Sequence, residues 1–304
     1  MDSASMNSTI LQSNRDNFQE ALIKNLIIVF LGIIINSINS IIVLTFFKHG
    51  NFYNDPRYIL YVHLVFNDML MICSSVGLYV LTYAFPYINF SVCCTLIVLA
   101  SSPHMNTPLN LAGMAIERYI AICKPLHHAQ ICTVNRTYVL IGIIWVLGFI
   151  PGLTDLLIVV ATQPLSFFTS VIFYYRVASH VHVSCLGNSD LYYFRVFYTA
   201  RAATTEASSA KKAQNTIFLH GVQLLLCMLS YLFPVLDFLL VPLFPVHRTK
   251  ITFFIYLITD IIPRLLSPLI YSLRDQKFVK HMSQIFSCRL TIVQVKATNI
   301  KLNI

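Results

Sequence analysis

The chain has 304 residues, 57% of them hydrophobic and only 11% charged, with a mean hydropathy of +0.70. A water-soluble globule of this length does not carry so much apolar surface, so the composition points to a polytopic membrane protein. The net charge of +9 does not indicate nucleic acid, because Lys and Arg stand singly or in pairs between apolar runs and form no basic stripe.

Residues 1–24 are a polar N-terminal segment. Met1 to Gln19 lacks the basic start, apolar stretch and small-residue cleavage site of a secretory signal, so the first helix is expected to act as its own insertion signal. A spanning helix needs about 20 apolar residues. Clear spans are expected at Asn25–Phe47, Tyr58–Ala84, Cys93–Ile122, Thr137–Ala161, Thr216–Phe244 and Ile251–Leu273. Their linkers carry Lys48, His49 and Arg57, then Lys124 and Arg136, then Arg201, Lys211 and Lys212, and finally Arg274, Lys277 and Lys280. With the N-terminus outside, the first two sets face the cytoplasm, as the positive-inside rule requires. The last two do so only if the chain crosses once more between Gln163 and Arg201.

Six spans therefore demand a seventh within residues 165–205. Leu165–Val183 is long enough, at about 28 Å of helical rise, but contains Arg176, His180 and His182. An Arg near mid-bilayer costs at least about 2.5 kcal/mol on insertion scales, so this span suits only a polar interior. Leu191–Thr205 is apolar and aromatic but short, and is interrupted by Arg195 and Arg201. Both readings stay open. Residues 274–304 form a tail, with an amphipathic stretch Lys277–Phe286 followed by Cys288, a candidate for palmitoylation.

Residues 114–128 read Met-Ala-Ile-Glu-Arg-Tyr-Ile-Ala-Ile-Cys-Lys-Pro-Leu-His-His, a charged block where an apolar helix leaves the membrane. The Arg118 guanidinium stays ionised and donates from a fixed fork, so it can pair with Glu117 in one state and with another helix or a partner protein in a second. The blander reading is a snorkelling Arg that marks the membrane edge. Asp68, in Val-Phe-Asn-Asp-Met-Leu at 65–70, lies deep in the second span, where an unpaired carboxylate is expensive. The last span ends in Ser267-Pro-Leu-Ile-Tyr-Ser-Leu-Arg274; there Pro268 removes a backbone donor and permits a bend, and Tyr271 offers a hydroxyl.

The block around Glu117-Arg118-Tyr119, the Asp68 segment and the Ser-Pro-x-x-Tyr ending together resemble rhodopsin-like (class A) G-protein-coupled receptors, in the odorant-receptor version and its fish branch. The resemblance covers roughly residues 20–163 and 194–288. It implies an all-α bundle of seven-transmembrane type with an atypical or truncated fifth helix. It implies further that Asp68 joins a polar network with Asn39 or Asn36 of the first helix and the polar end of the last, where Ser267 replaces the family's Asn. A structural clamp between helices is the competing reading of that network. Cys93 stands where the family's extracellular disulfide begins, and the expected partner is Cys185, with Cys94 as competing donor. A G-protein switch built from Glu117, Arg118, Tyr119, Pro268 and Tyr271 follows from the same resemblance, with a stimulatory olfactory-type heterotrimeric G protein as partner.

A ligand pocket is expected in the outer half of the bundle. Ser101, His104 and Met105 share a face by helical spacing, and Asp237 and Asp260 contribute from the last two spans; each is equally a candidate interhelical polar contact. Asn7, in Asn-Ser-Thr, is the preferred glycosylation site over Asn89, while Asn135 falls on the inner side. The eight cysteines include no CxxC pair, and His180, His182 and Cys185 fall short of a closed metal site, so no cofactor or metal is expected.

The function expected is an odorant receptor that binds a small molecule within the helix bundle and activates a G protein, with membrane lipids around it. Two alternatives stand beside it: a non-signalling receptor-gene product damaged around the fifth helix, and a transporter or channel, against which stand the absence of a repeat and the scarcity of paired intramembrane charges. No GxSxG, HExxH or phosphate-loop pattern suggests an enzyme.

Overall fold

The computed structural model describes residues 18–84, 87–162, 171–173, most positions of 221–244, 247–274, and 281. Four long helices open the chain: α1 (Phe18–Lys48), α2 (Pro56–Ala84), α3 (Phe90–Cys123) and α4 (Val134–Thr162). The described residues of 221–243 are helical as well. A C-terminal helix then runs in three pieces, Arg248–Tyr256, a π-helical turn Leu257–Ile261, and Ile262–Arg274. Among the described residues, four segments are long and apolar enough to cross a membrane: Gln19–Lys48, Pro56–Leu81, Val134–Thr154 and Arg248–Pro268.

Local chemistry explains where helices start and bend. α2 opens on Pro56, whose missing N–H is not needed at a first helical position. Asp55 caps it: its Oδ1 accepts from the Arg57 backbone N–H at 3.0 Å, and the Arg57 guanidinium grips both carboxylate oxygens. Burial alone would raise the Asp55 carboxyl, but the hydrogen bonds from the Arg57 side chain and backbone outweigh it and hold that carboxyl below its ordinary value of 3.8. α3 contains Pro103 and Pro108, each of which deletes a rung of its ladder. Asn67 of α2 repairs the region from outside, its amide donating to the Pro103 carbonyl at 2.6 Å and to Thr107 Oγ1 at 2.9 Å. In the C-terminal helix Pro263 has no N–H to offer the carbonyl one turn back, and the chain passes this point in π geometry, with the Ile262 N–H reaching Leu257.

α2, α3 and α4 form one block. Asn110 of α3 donates to the Leu60 carbonyl of α2 at 3.0 Å, and Trp145 of α4 donates to His63 of α2 at 3.0 Å. Gly148 and Gly152 bring α4 close to α3, since a Cβ on Gly148 would collide with Asn106 Oδ1 and one on Gly152 would lie 3.0 Å from Ser101 Oγ. Toward the C-terminal end of α1 and α3 an apolar core joins α1 and α2 to α3 through Ile42, Phe46, Leu60, Tyr61, Leu64, Leu111 and Met114. A second, around Ile35, Ile72 and Ile261, ties the C-terminal helix to α1 and α2.

Two short strands interrupt the otherwise helical picture. Tyr87–Asn89 pairs antiparallel with Val171–Phe173, in the register Tyr87 to Phe173 and Asn89 to Val171. The expectation of one continuous span over Leu165–Val183 does not hold at 171–173, where the backbone spends its hydrogen bonds on the strand after α2 instead of on a helix. Leu191–Thr205, the other fifth-span candidate, lies outside the described residues.

Candidate functional site at the inner face and mid-membrane

At the C-terminal end of α3, Glu117 is buried and faces a guanidinium and an imidazole. Its Oε2 lies 3.6 Å from Arg118 Nε, and its Oε1 lies 3.0 Å from His128 Nε2. His128 belongs to a short helix, Pro125–Ile131, that follows α3 after Lys124. That helix buries none of its residues, and Leu126 is 87% exposed. Arg136, at the start of α4, closes it by donating to the carbonyls of Gln130 and Ile131 at 3.0 and 3.2 Å. Burial and the Glu117 charge push the nearby Cys132 thiol up, so the neutral thiol is favoured there. The site therefore presents an exposed, partly apolar loop helix whose position is tied to the Glu117 carboxylate through His128.

Mid-membrane, the polar network differs from the expected one. Asp68 is buried and pairs with Arg264 of the C-terminal helix, Nη1 to Oδ1 at 2.9 Å, and the Arg264 Nη2 stands 4.0 Å from Asp260. Ser267 instead accepts from Gln223 at 2.9 Å. Asn39, 1% exposed, makes no side-chain hydrogen bond among the described residues, so Asn39, Asp68 and Ser267 are not joined. Asn36 points its amide at Cys73 Sγ, 3.5 Å away, rather than at Asp68. The expected scarcity of paired intramembrane charges is corrected by the same pair. Arg264 had a legible signal: an Arg inside an apolar span, four residues after Asp260 and so on its face. His128 and Gln223 had none, because their partners are set by packing between elements.

The five pocket candidates lie on α3, on the helical residues of 221–243 and on the C-terminal helix. Ser101 faces Gly152 of α4 and donates to the Val98 carbonyl at 3.0 Å. Asp237 accepts from Thr252 at 2.6 Å, and Asp260 lies beside Arg264. Met105 is buried and His104 half-buried on α3. The α2 seam with the C-terminal helix holds residues the sequence did not mark: Tyr256 hydrogen-bonds Ser75 and stacks on Tyr79, ring centroids 6.0 Å apart at 18°. Pro268 is buried within the last helix piece and Tyr119 is partly buried. The side chains of Cys93, Cys94 and Tyr271, and all of Asn7 and Cys185, lie outside the described residues.

Comparison with known proteins agrees with this architecture. The family described as 7 transmembrane receptor (rhodopsin family) matches residues 38–271. The chain belongs to that family. Among curated proteins it is 29% identical to odorant receptor 131-2 of Danio rerio over 94% of both chains. It is 24% identical to the human olfactory receptor 4K1 over 82% of this chain and 84% of that one, and 26% identical to the human olfactory receptor 4K15 over 94% and 91%. As a rhodopsin-family receptor it is a multi-pass membrane protein and not an enzyme, and the transporter and channel reading falls away.

Proposed function

We propose that this receptor detects a small odorant molecule in the outer half of its bundle and passes the signal to a stimulatory olfactory-type G protein at its inner face. The family supports small-molecule binding and G-protein coupling, and the relatives' names support odorants as the ligand class. The observation that carries the reading is the buried Glu117 carboxylate at the inner end of α3, held between Arg118 and His128 beside an exposed loop helix. Desolvation offsets much of the Coulombic gain of a buried charge pair, so stability alone is a weak reason for this one, which supports a switching role. Odorant binding biases a pre-existing equilibrium only if it is tighter to the state in which Arg118 leaves Glu117.

The same reading places the receptor in the plasma membrane with its N-terminus outside, Asn7 glycosylated, and Cys93 bonded to Cys185. The Lys and Arg residues of the inner loops support that orientation. The pocket is proposed to include His104, Met105 and Asp260, with Tyr79 and Tyr256 at the neighbouring seam.

The test is odorant-evoked cAMP in transfected cells carrying an olfactory-type G protein, screened with an odorant panel. Arg118→Ala is expected to abolish the response at equal surface expression. A response preserved in that variant overturns the switch role of Arg118.

A further inference from the structure

Arg264 lies within reach of two carboxylates on two helices. Its Nη1 donates to Asp68 Oδ1 of α2 at 2.9 Å, while its Nη2 stands 4.0 Å from Oδ1 of Asp260, one turn earlier on its own helix. All three side chains are buried, at 6% exposure for Arg264, 5% for Asp68 and 13% for Asp260. Asp260 sits in the π-turn Leu257–Ile261, where the ladder is already offset by one residue. The three groups differ in what they tolerate. A buried carboxyl becomes neutral by taking up a proton, but a guanidinium at this depth cannot lose one and must stay paired.

We propose that Asp260 is a second seat for the Arg264 guanidinium. With α2 and the C-terminal helix together, the guanidinium bridges them through Asp68. When the helices part, it turns about its own stem onto Asp260 and travels with its helix, so the separation leaves no unpaired cation in the membrane. Asp260 is thus a positioning residue that acts through Arg264. The i, i+4, i+8 spacing of Tyr256, Asp260 and Arg264 sets the three on one face, and Tyr256 is itself bonded to Ser75 of α2. The outer-half contact and the mid-membrane clasp are therefore strung along a single stripe facing α2. The proposal rests on the reading of the chain as a two-state receptor, but its test needs neither odorant nor G protein, so the two fail separately.

The test is a double-mutant cycle on the purified full chain in detergent micelles, read as the melting midpoint. Asp68→Asn and Asp260→Asn are each expected to lower it by a few degrees, because one carboxylate still holds the guanidinium. The double variant is expected to fall by more than the sum of the two, towards Arg264→Met. Restoring the carboxylate as Asp260→Glu in the Asp68→Asn background is expected to return the midpoint to that of Asp68→Asn alone. If the double variant fails to reach the membrane while both singles do, the fraction of monodisperse receptor in crude extracts reads the same synergy. The proposal is overturned if Asp260→Asn changes nothing in the Asp68→Asn background, or if Asp68→Asn alone is as damaging as Arg264→Met.

Discussion

Gly148 decides how near α4 comes to α3. The Asn106 amide and the Ser102 carbonyl occupy the space a Cβ would take, the latter at 3.3 Å. Asn106 is fully buried, so its side chain has little room to swing away. Gly148→Ala is expected to destabilise the receptor by roughly 1–3 kcal/mol through overpacking. Truncating the obstacle as well, in Gly148→Ala/Asn106→Ala, is expected to recover most of that loss, measured as the melting midpoint in micelles. At the same scale, the Glu117 carboxylate illustrates how far single residues can be read. The sequence marked Glu117 and Arg118, and the structure adds His128 at 3.0 Å, a partner eleven positions away that only the fold of the loop helix supplies.

Among the elements, α2 depends on its first turn. Asp55 accepts the Arg57 N–H with its side chain and the Tyr58 and Ile59 N–H groups with its carbonyl, at 3.1 and 3.3 Å. Asp55→Ala is expected to cost about 1 kcal/mol and to speed backbone hydrogen exchange at residues 57–59 while leaving the middle of α2 unchanged. Because the folded carboxyl lies below its unfolded value of 3.8, its contribution is complete above that pH and is lost as pH falls through the folded value. The variant should therefore differ from the natural chain at neutral pH and converge with it in strong acid. Helix existence was legible from apolar length alone, as the four long segments show. The bends were legible only as prolines; that Asn67 of α2 repairs the region of Pro103, and that Pro263 yields a π-turn instead of a break, depended on which neighbours stood close.

For the whole molecule, the expected topology rests on where the positive charges fall. An epitope ahead of Met1 is expected to be stained on intact cells, and one behind Ile304 only after permeabilisation. The opposite pattern would put Glu117 and Arg118 outside the cell and end the G-protein reading. The sheet between Tyr87–Asn89 and Val171–Phe173 could not be foreseen, since two three-residue strands so far apart in sequence carry no periodic signal.

The sequence by itself determined the membrane-spanning helices, their expected orientation and the family, because apolar length, loop charge and short motifs are local properties. Only the tertiary structure decided the pairings. Asp68 takes Arg264 instead of Asn39, Ser267 takes Gln223, Ser101 turns to α4, and Glu117 gains His128. The reason is physical: in a low-dielectric interior a buried polar group must find whichever complementary group the helix rotations bring within hydrogen-bond reach, and rotation is set by packing across the bundle.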